Sequence, residues 1–251
     1  MDRLRSLLLP LSGLAAAALL WAAGTAWLAG VSPIAAAFSP LAALRAFEPL
    51  FGDSYIWTHI GVSLKRVAVG LAAALAVGVP LGILTGVSRR FASATGTLFQ
   101  FLRMVSPLSW MPLAVMALGV GDAPVFFLLA FAALWPILLN TAAGVAQLDR
   151  NWLTLARSLS ATRRETVLRV IVPGITAHIL TGARLAIGII WIILVPAEML
   201  GVSAGLGYFI LDTRDRLAYA ELMAAILLIG FLGFLIDYGA RRLHDRWLHQ
   251  A

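Results

Sequence analysis

The chain has 251 residues, of which 61% are apolar and only 12% charged, and its mean hydropathy is +0.92. Soluble domains run at about 45–50% apolar and about 25% charged, so composition excludes a soluble globular protein, a disordered tail or a fibrous repeat and points to a polytopic membrane protein. Nineteen Lys+Arg against twelve Asp+Glu would suggest nucleic acid in a soluble chain, but here basic loops on the cytoplasmic side explain the excess, and the absence of cysteine excludes disulfides and thiolate chemistry.

A spanning helix needs roughly 20 mainly apolar residues. Six runs qualify, near Leu7–Leu28, Val62–Val87, Leu102–Leu118, Ala123–Ala143, Ile175–Val195 and Leu222–Tyr238. The first has a longer apolar stretch than a signal-peptide core and reads as an uncleaved anchor. Between it and the second run, Pro33, Pro40, Pro49 and Gly52 break the pattern, which predicts an outer-face connection with an interfacial helix around Leu41–Phe47. The chain thus divides into an anchor and connection over residues 1–57, a core over 58–240, and a basic tail over 241–251.

Arginine bias sets the orientation. With the N-terminus inside, thirteen of the nineteen basic residues fall on the inner side. Five fall outside, namely Arg45, Lys65, Arg66, Arg214 and Arg216, and Arg184 sits within a span. Both termini are therefore placed in the cytoplasm.

The longest inner loop, Ala146–Val172, is amphipathic, with Leu153, Ala156 and Leu159 recurring at helical spacing. Ser160-Ala161-Thr162 forms a turn that offers an N-cap ahead of Arg163-Arg164-Glu165, and Pro173 closes the segment where the fifth span begins. Two short helices at the cytoplasmic face follow. They either rest on anionic lipid heads or offer apolar knobs and arginines to a soluble partner. The chain has no G-x-x-x-x-G-K-[ST] loop and no H-E-x-x-H pair, and its four histidines are scattered, so an enzyme reading has little chemistry to use.

The loop residues Ala156-Arg157-Ser158-Leu159-Ser160-Ala161, then Val170-Ile171-Val172-Pro173, resemble the EAA loop of the membrane subunits of binding-protein-dependent ABC importers. That pattern runs E-A-A, three residues, Gly, nine residues, then I-x-L-P. Here Thr154 stands for Glu, Leu155 for Ala and Ser160 for Gly. Further runs resemble the nitrate/sulfonate/taurine permeases. These are Ser63–Gly70 with Gly78–Val87, Phe99–Leu113, Trp135–Val145, and Trp191–Leu200 with Gly205–Phe209. The likeness covers about His59 to Asp237 and is nearest to nitrate-type members.

The resemblance implies an all-α integral membrane protein of about six spans with the type I ABC importer permease fold. It implies a homodimer forming the path for a small anion such as nitrate, or a sulfonate such as taurine. It further implies two cytoplasmic ATPase subunits that bind ATP and Mg and dock on 146–172, an extracytoplasmic substrate-binding protein, and a place in the bacterial inner membrane. This chain would carry no cofactor, metal or catalytic residue and contact no nucleic acid. The coupling residues would be Thr154, Leu155, Ala156, Arg157, Ser160, Ala161 and Pro173. Ala156 and Ser160, one turn apart, would share the docking face. A secondary transporter working without an ATPase is the alternative, but apart from Arg184 and Glu198 the spans look almost bare of ionisable groups.

Several residues are marked on physical grounds. Gly70, Gly78, Gly82 and Gly86 carry small side chains at intervals that let helices approach closely. Pro107, Pro112 and Pro136 each remove a backbone donor inside a span. Trp110 and Asn140 are candidates for the gate or pathway. Glu198, ahead of the Gly201–Gly207 turn, is expected to cap that turn's backbone or to line the gate. On the capping reading, Glu198→Gln is mild. Arg184 is expected to pair structurally or to line the path. The run Asp212-Thr213-Arg214-Asp215-Arg216 reads as a solvated outer turn or a docking site for the binding protein.

Overall fold

In hydrocarbon, backbone N–H and C=O groups can be satisfied only within the segment that carries them, and long Leu/Ala/Val/Ile runs therefore coil into helices. The computed structural model describes residues 2–248 and contains no strand among them. The elements are α1 (Asp2–Ala29), a 3₁₀ turn (Pro33–Phe38), α2 (Pro40–Gly52), α3 (Ser54–Val87) and α4 (Arg89–Met104). A second 3₁₀ turn (Pro107–Trp110) leads into α5 (Met111–Leu118), followed by α6 (Asp122–Gln147), α7 (Arg150–Ser158) and α8 (Arg163–Thr166). A π-helical segment (Val167–Ile171) then joins α8 to α9 (Val172–Glu198), and α10 (Leu206–Asp215) and α11 (Tyr219–Leu248) complete the chain. Five helices are long and apolar enough to cross a membrane, and the α4/α5 pair makes a sixth if counted as one broken span.

Three boundaries differ from the hydropathy reading. The third span is not one rod across Leu102–Leu118, because the helix stops at Met104 and resumes after Pro107 at about 90°. Val105 and Ser106 are extended there, as residues preceding a proline tend to be. Nor does Pro173 end a segment. Helix runs unbroken from Arg163 to Glu198, with the π segment just ahead of the proline. There Val172 N–H reaches back five residues to Val167 C=O. In a regular α-helix the Pro173 ring would meet the carbonyl four residues back, and the widened turn relieves that crowding. The sixth helix continues through Leu248, so Arg241 and Arg242 ride on it instead of on a separate tail. The last residues of the expected tail, 249–251, lie outside the described residues.

The core is a slab of three helices with α6 between α3 and α9. The glycine stripe of α3 makes it. A Cβ on Gly70 would lie 2.7 Å from Leu129 Cβ, on Gly78 2.9 Å from Ile137 Cγ2, on Gly82 2.6 Å from Thr141 Cβ and on Gly86 2.5 Å from Val145 Cβ. On the opposite side, a Cβ on Gly182 of α9 would sit 3.0 Å from the Pro136 carbonyl of α6. These glycines therefore serve helix packing, driven by van der Waals contact where no water remains to be expelled. By contrast α1 buries almost nothing. It touches the first 3₁₀ turn and α2, with Trp21 Nε1 donating to Phe38 C=O at 3.0 Å.

Candidate functional site

Two constellations stand at opposite ends of the slab. The first lies at the end that the arginine bias places outside. Arg66, counted on the outer side near the start of the second span, is inside α3 and only 3% exposed at the side chain. Its Nη1 donates to Glu198 Oε1 at 2.8 Å and to Ala204 C=O at 2.6 Å. Its Nε and Nη2 donate to Asp122 Oδ1 at 3.0 and 2.5 Å. Lys65 Nζ lies 3.7 Å from the other Asp122 oxygen. Asp122 opens α6, where its charge also suits the helix N-terminus.

The same cluster clamps the turn after α9. Glu198, wholly buried, accepts from Ser63 Oγ at 2.8 Å and from Gly207 N–H at 2.9 Å. Ser63 Oγ accepts from Leu206 N–H at 2.8 Å, and His59 Nδ1 lies 2.9 Å from the Gly205 N–H nitrogen and 3.0 Å from the Gly205 C=O oxygen. Four successive residues, 204–207, thus have a backbone group held by α3 or by Glu198. Gly205 has φ +117°, and a Cβ there would strike Arg66 and Glu198 at about 2.5 Å, so only glycine fits. Glu198 does cap the turn, and it is also the counter-ion of a buried arginine.

The second constellation is the loop between α6 and α9. Asp149 caps α7, its side chain accepting from Asn151 N–H, and Thr162 and Glu165 form a capping box on α8. Ser160 has φ +53°. That left-handed conformation is where glycine is free and other residues are strained, which explains the family's preference for Gly at this position. Because α7 ends at Ser158, Ala156 and Ser160 do not share a helical face. Ala156 is 5% exposed and turned toward its own chain, while Trp152, Leu155 and Leu159 stand 58%, 51% and 73% exposed. Thr154, Arg157 and Pro173 are exposed and Ala161 is half-buried. Leu148, Trp152, Leu155, Leu159, Val170 and Pro173 are among the residues lining a cleft of about 450 Å³ with Ala156 on its wall.

The remaining candidates scatter. Trp110 is half-buried against Phe131, ring centroids 5.7 Å apart, and its buried Nε1 has no partner among the described residues. Asn140 Nδ2 donates to Pro136 C=O at 2.8 Å, one turn back on α6. Arg184 Nε lies 3.9 Å from Asp237 Oδ1 on α11. The expected outer turn 212–216 is mostly helix, the C-terminal end of α10, where Arg216 bridges Asp212 at 3.0 Å and Glu221 at 3.4 Å beside a cleft of about 440 Å³.

Residues 78–249 match the family described as binding-protein-dependent transport system inner membrane component. The chain belongs to that family. It is 37% identical over 185 residues to the nitrate import permease protein NrtB of Leptolyngbya laminosa, covering 74% of this chain and 66% of that protein. It is 37% identical over 194 residues to the bicarbonate transport system permease protein CmpB of Synechococcus elongatus, covering 76% and 69%. To the taurine transport system permease protein TauC of Escherichia coli it is 33% identical over 196 residues, covering 78% and 71%. Among solved structures, an inward-facing MetNI methionine ABC transporter matches with TM-score 0.61 at 14% identity, covering 76% of this chain and 96% of that one. An amino acid ABC transporter with histidines matches at 0.56 and 16% identity, covering 83% and 97%. The fold of this family member is that of a type I ABC importer permease, and it is a multi-pass membrane permease component.

Proposed function

We propose that the chain is the translocation subunit of an ATP-driven importer in the bacterial inner membrane. Two copies form the path, a substrate-binding protein delivers a small oxyanion from outside, and two ATPase subunits, which hold ATP and Mg, dock at the inner loop. The carrying observation is the loop itself. It is folded by two side-chain caps, yet it presents Trp152, Leu155 and Leu159 to solvent around an apolar cleft. Exposed apolar patches rimmed by arginines mark a protein contact. The substrate class rests on relatives named for nitrate, bicarbonate and taurine. Nitrate and bicarbonate relatives are equally identical to this chain, so identity does not choose between them.

The test is retention of the ATPase subunits. Leu159→Asp places a carboxylate in the middle of the apolar contact without touching the loop's internal packing. The variant is expected to insert normally, lose the copurifying ATPases and stop ATP-driven uptake, because burying an unpaired charge at an interface costs several kcal/mol. Normal retention and uptake by Leu159→Asp would leave the loop resting on lipid and remove the support for this reading.

A further inference from the structure

We propose that Arg184 holds the transported oxyanion partway across the membrane, with Asp237 as the carboxylate that takes the arginine back when the anion leaves. The inference rests on the anion-importer reading above. Arg184 lies twelve residues past Val172 and fourteen before Glu198, about 18 and 21 Å along α9, near the middle of the span. Its Nε is 3.9 Å from Asp237 Oδ1, at the limit of an ion pair. Asp237 is already engaged by Arg241, whose Nε donates to Oδ2 at 2.8 Å and whose Nη2 contacts the same oxygen. One carboxylate therefore serves two guanidiniums.

The Arg184 and Asp237 side chains are each 36% exposed. Intramembrane arginines face protein or water, because hydrocarbon penalises the charge heavily. The other face of α9 is committed, with Gly182, Ala186 and Ile190 buried in the slab. On this proposal the exposed edge of Arg184 faces the wet path. A guanidinium offers parallel N–H donors that fit two oxygens of a carboxylate-like anion. Nitrate, bicarbonate and sulfonates all present such an O–X–O edge. Arg66 is committed elsewhere, because Asp122, Glu198 and the Ala204 carbonyl take four of its five N–H donors. A contact of 3.9 Å is loose enough to open for an anion and near enough to close behind it, so the arginine is never left bare.

The experiment uses the complete complex in proteoliposomes, with ATPases and binding protein present, and measures uptake of nitrate, bicarbonate and taurine together with ions moved per ATP. ATP-driven uptake of one of these by the unaltered complex upholds the importer reading, and no uptake of any of them fails that reading whatever Arg184 does. Given uptake, Arg184→Gln is expected to cut flux about tenfold or more, the range for losing a charge-assisted hydrogen-bonded pair. ATP hydrolysis stimulated by the binding protein should persist, so ions per ATP fall. Arg184→Lys should recover only part of the flux, because it restores charge without the planar fork. Unchanged flux and unchanged ions per ATP in assembled Arg184→Gln would overturn the inference. Full recovery of flux in the double variant Arg184→Gln/Asp237→Asn would also overturn it, because the pair would then be purely structural.

Discussion

Replacing Glu198 with Gln removes one charge and almost no volume, and the structure makes this small change expensive. The Glu198 carboxylate is wholly buried and accepts from Arg66, Ser63 and Gly207 at 2.8–2.9 Å. An amide has one acceptor oxygen and one donor nitrogen. If its oxygen faces Arg66, its nitrogen faces the Gly207 N–H, and one buried donor is left without an acceptor at about 1–3 kcal/mol. Removing one partner of a buried ion pair typically costs about 3–5 kcal/mol. Asp122 still holds Arg66 through two hydrogen bonds, which offsets part of this, so the net loss is expected at about 2–4 kcal/mol. By the scaling for domains of 150–250 residues, the apparent Tm of the purified permease should fall by at least about 5 °C. The double variant Arg66→Met/Glu198→Gln removes the stranded charge as well. It should be clearly less destabilised than the sum of the single variants, a coupling that a double-mutant cycle measures directly. A Tm for Glu198→Gln within 1–2 °C of the parent, together with additive single effects, would refute the claim that this carboxylate holds Arg66 and the turn.

Gly82→Ala should impair assembly in the membrane, because its Cβ would lie 2.7 Å from the Leu138 carbonyl, which cannot move aside; overpacking of this kind costs about 1–3 kcal/mol. Gly96→Ala, with nothing within 4 Å, is the control and should raise or preserve expression and thermal stability. Ser160→Gly should stabilise the inner loop by up to about 1 kcal/mol, while Ser160→Val should weaken retention of the ATPases, since a β-branched residue is strained at positive φ. A reporter fused after Gln250 should be cytoplasmic and one inserted near Asp53 external; finding both on one side would refute the arginine-based orientation.

Hydropathy made the spans legible because lipid leaves the backbone few options, and the glycine stripe was readable because only close helix contact gives a use to small residues at that spacing. The third span was misjudged for a local reason. A window average scores Leu102–Leu118 as apolar and is blind to Pro107, which keeps Ser106 extended and turns the chain by 90°. The buried role of Arg66 was missed because a basic residue near the outer end of a span was counted only toward the charge on that side. One signal was available: apolar residues flank Lys65-Arg66 on both sides, and Asp122 and Glu198 are acids near the same ends of neighbouring spans. Which of these charges would meet depends on the relative rotation of three helices, and sequence periodicity does not specify it. Ala156 illustrates the opposite error. The family pattern marks Ala156, but this small residue serves the loop's own packing while its larger neighbours Trp152, Leu155 and Leu159 stand exposed.

The continuous helix from Arg163 to Glu198 joins the two constellations mechanically. Its 36 residues span ~54 Å, more than the thickness of a bilayer including headgroups. Its inner end is fixed to the loop by the Thr162–Glu165 capping box, and its outer end carries the carboxylate that holds the Gly207 N–H and Arg66. A displacement of the loop therefore reaches the outer turn through covalent, hydrogen-bonded backbone and does not depend on a relay of side chains. Near the loop, the π segment and Pro173 are where this rod departs from regular α-helix, and Pro196 removes one further backbone donor near the outer end. Bending at the π segment would absorb loop motion, and stiffness above it would deliver what remains to Arg184 in mid-span and to Glu198 beyond. The position of the π segment, next to the loop and not in mid-membrane, leaves the stretch between Pro173 and Pro196 as a long transmitting rod.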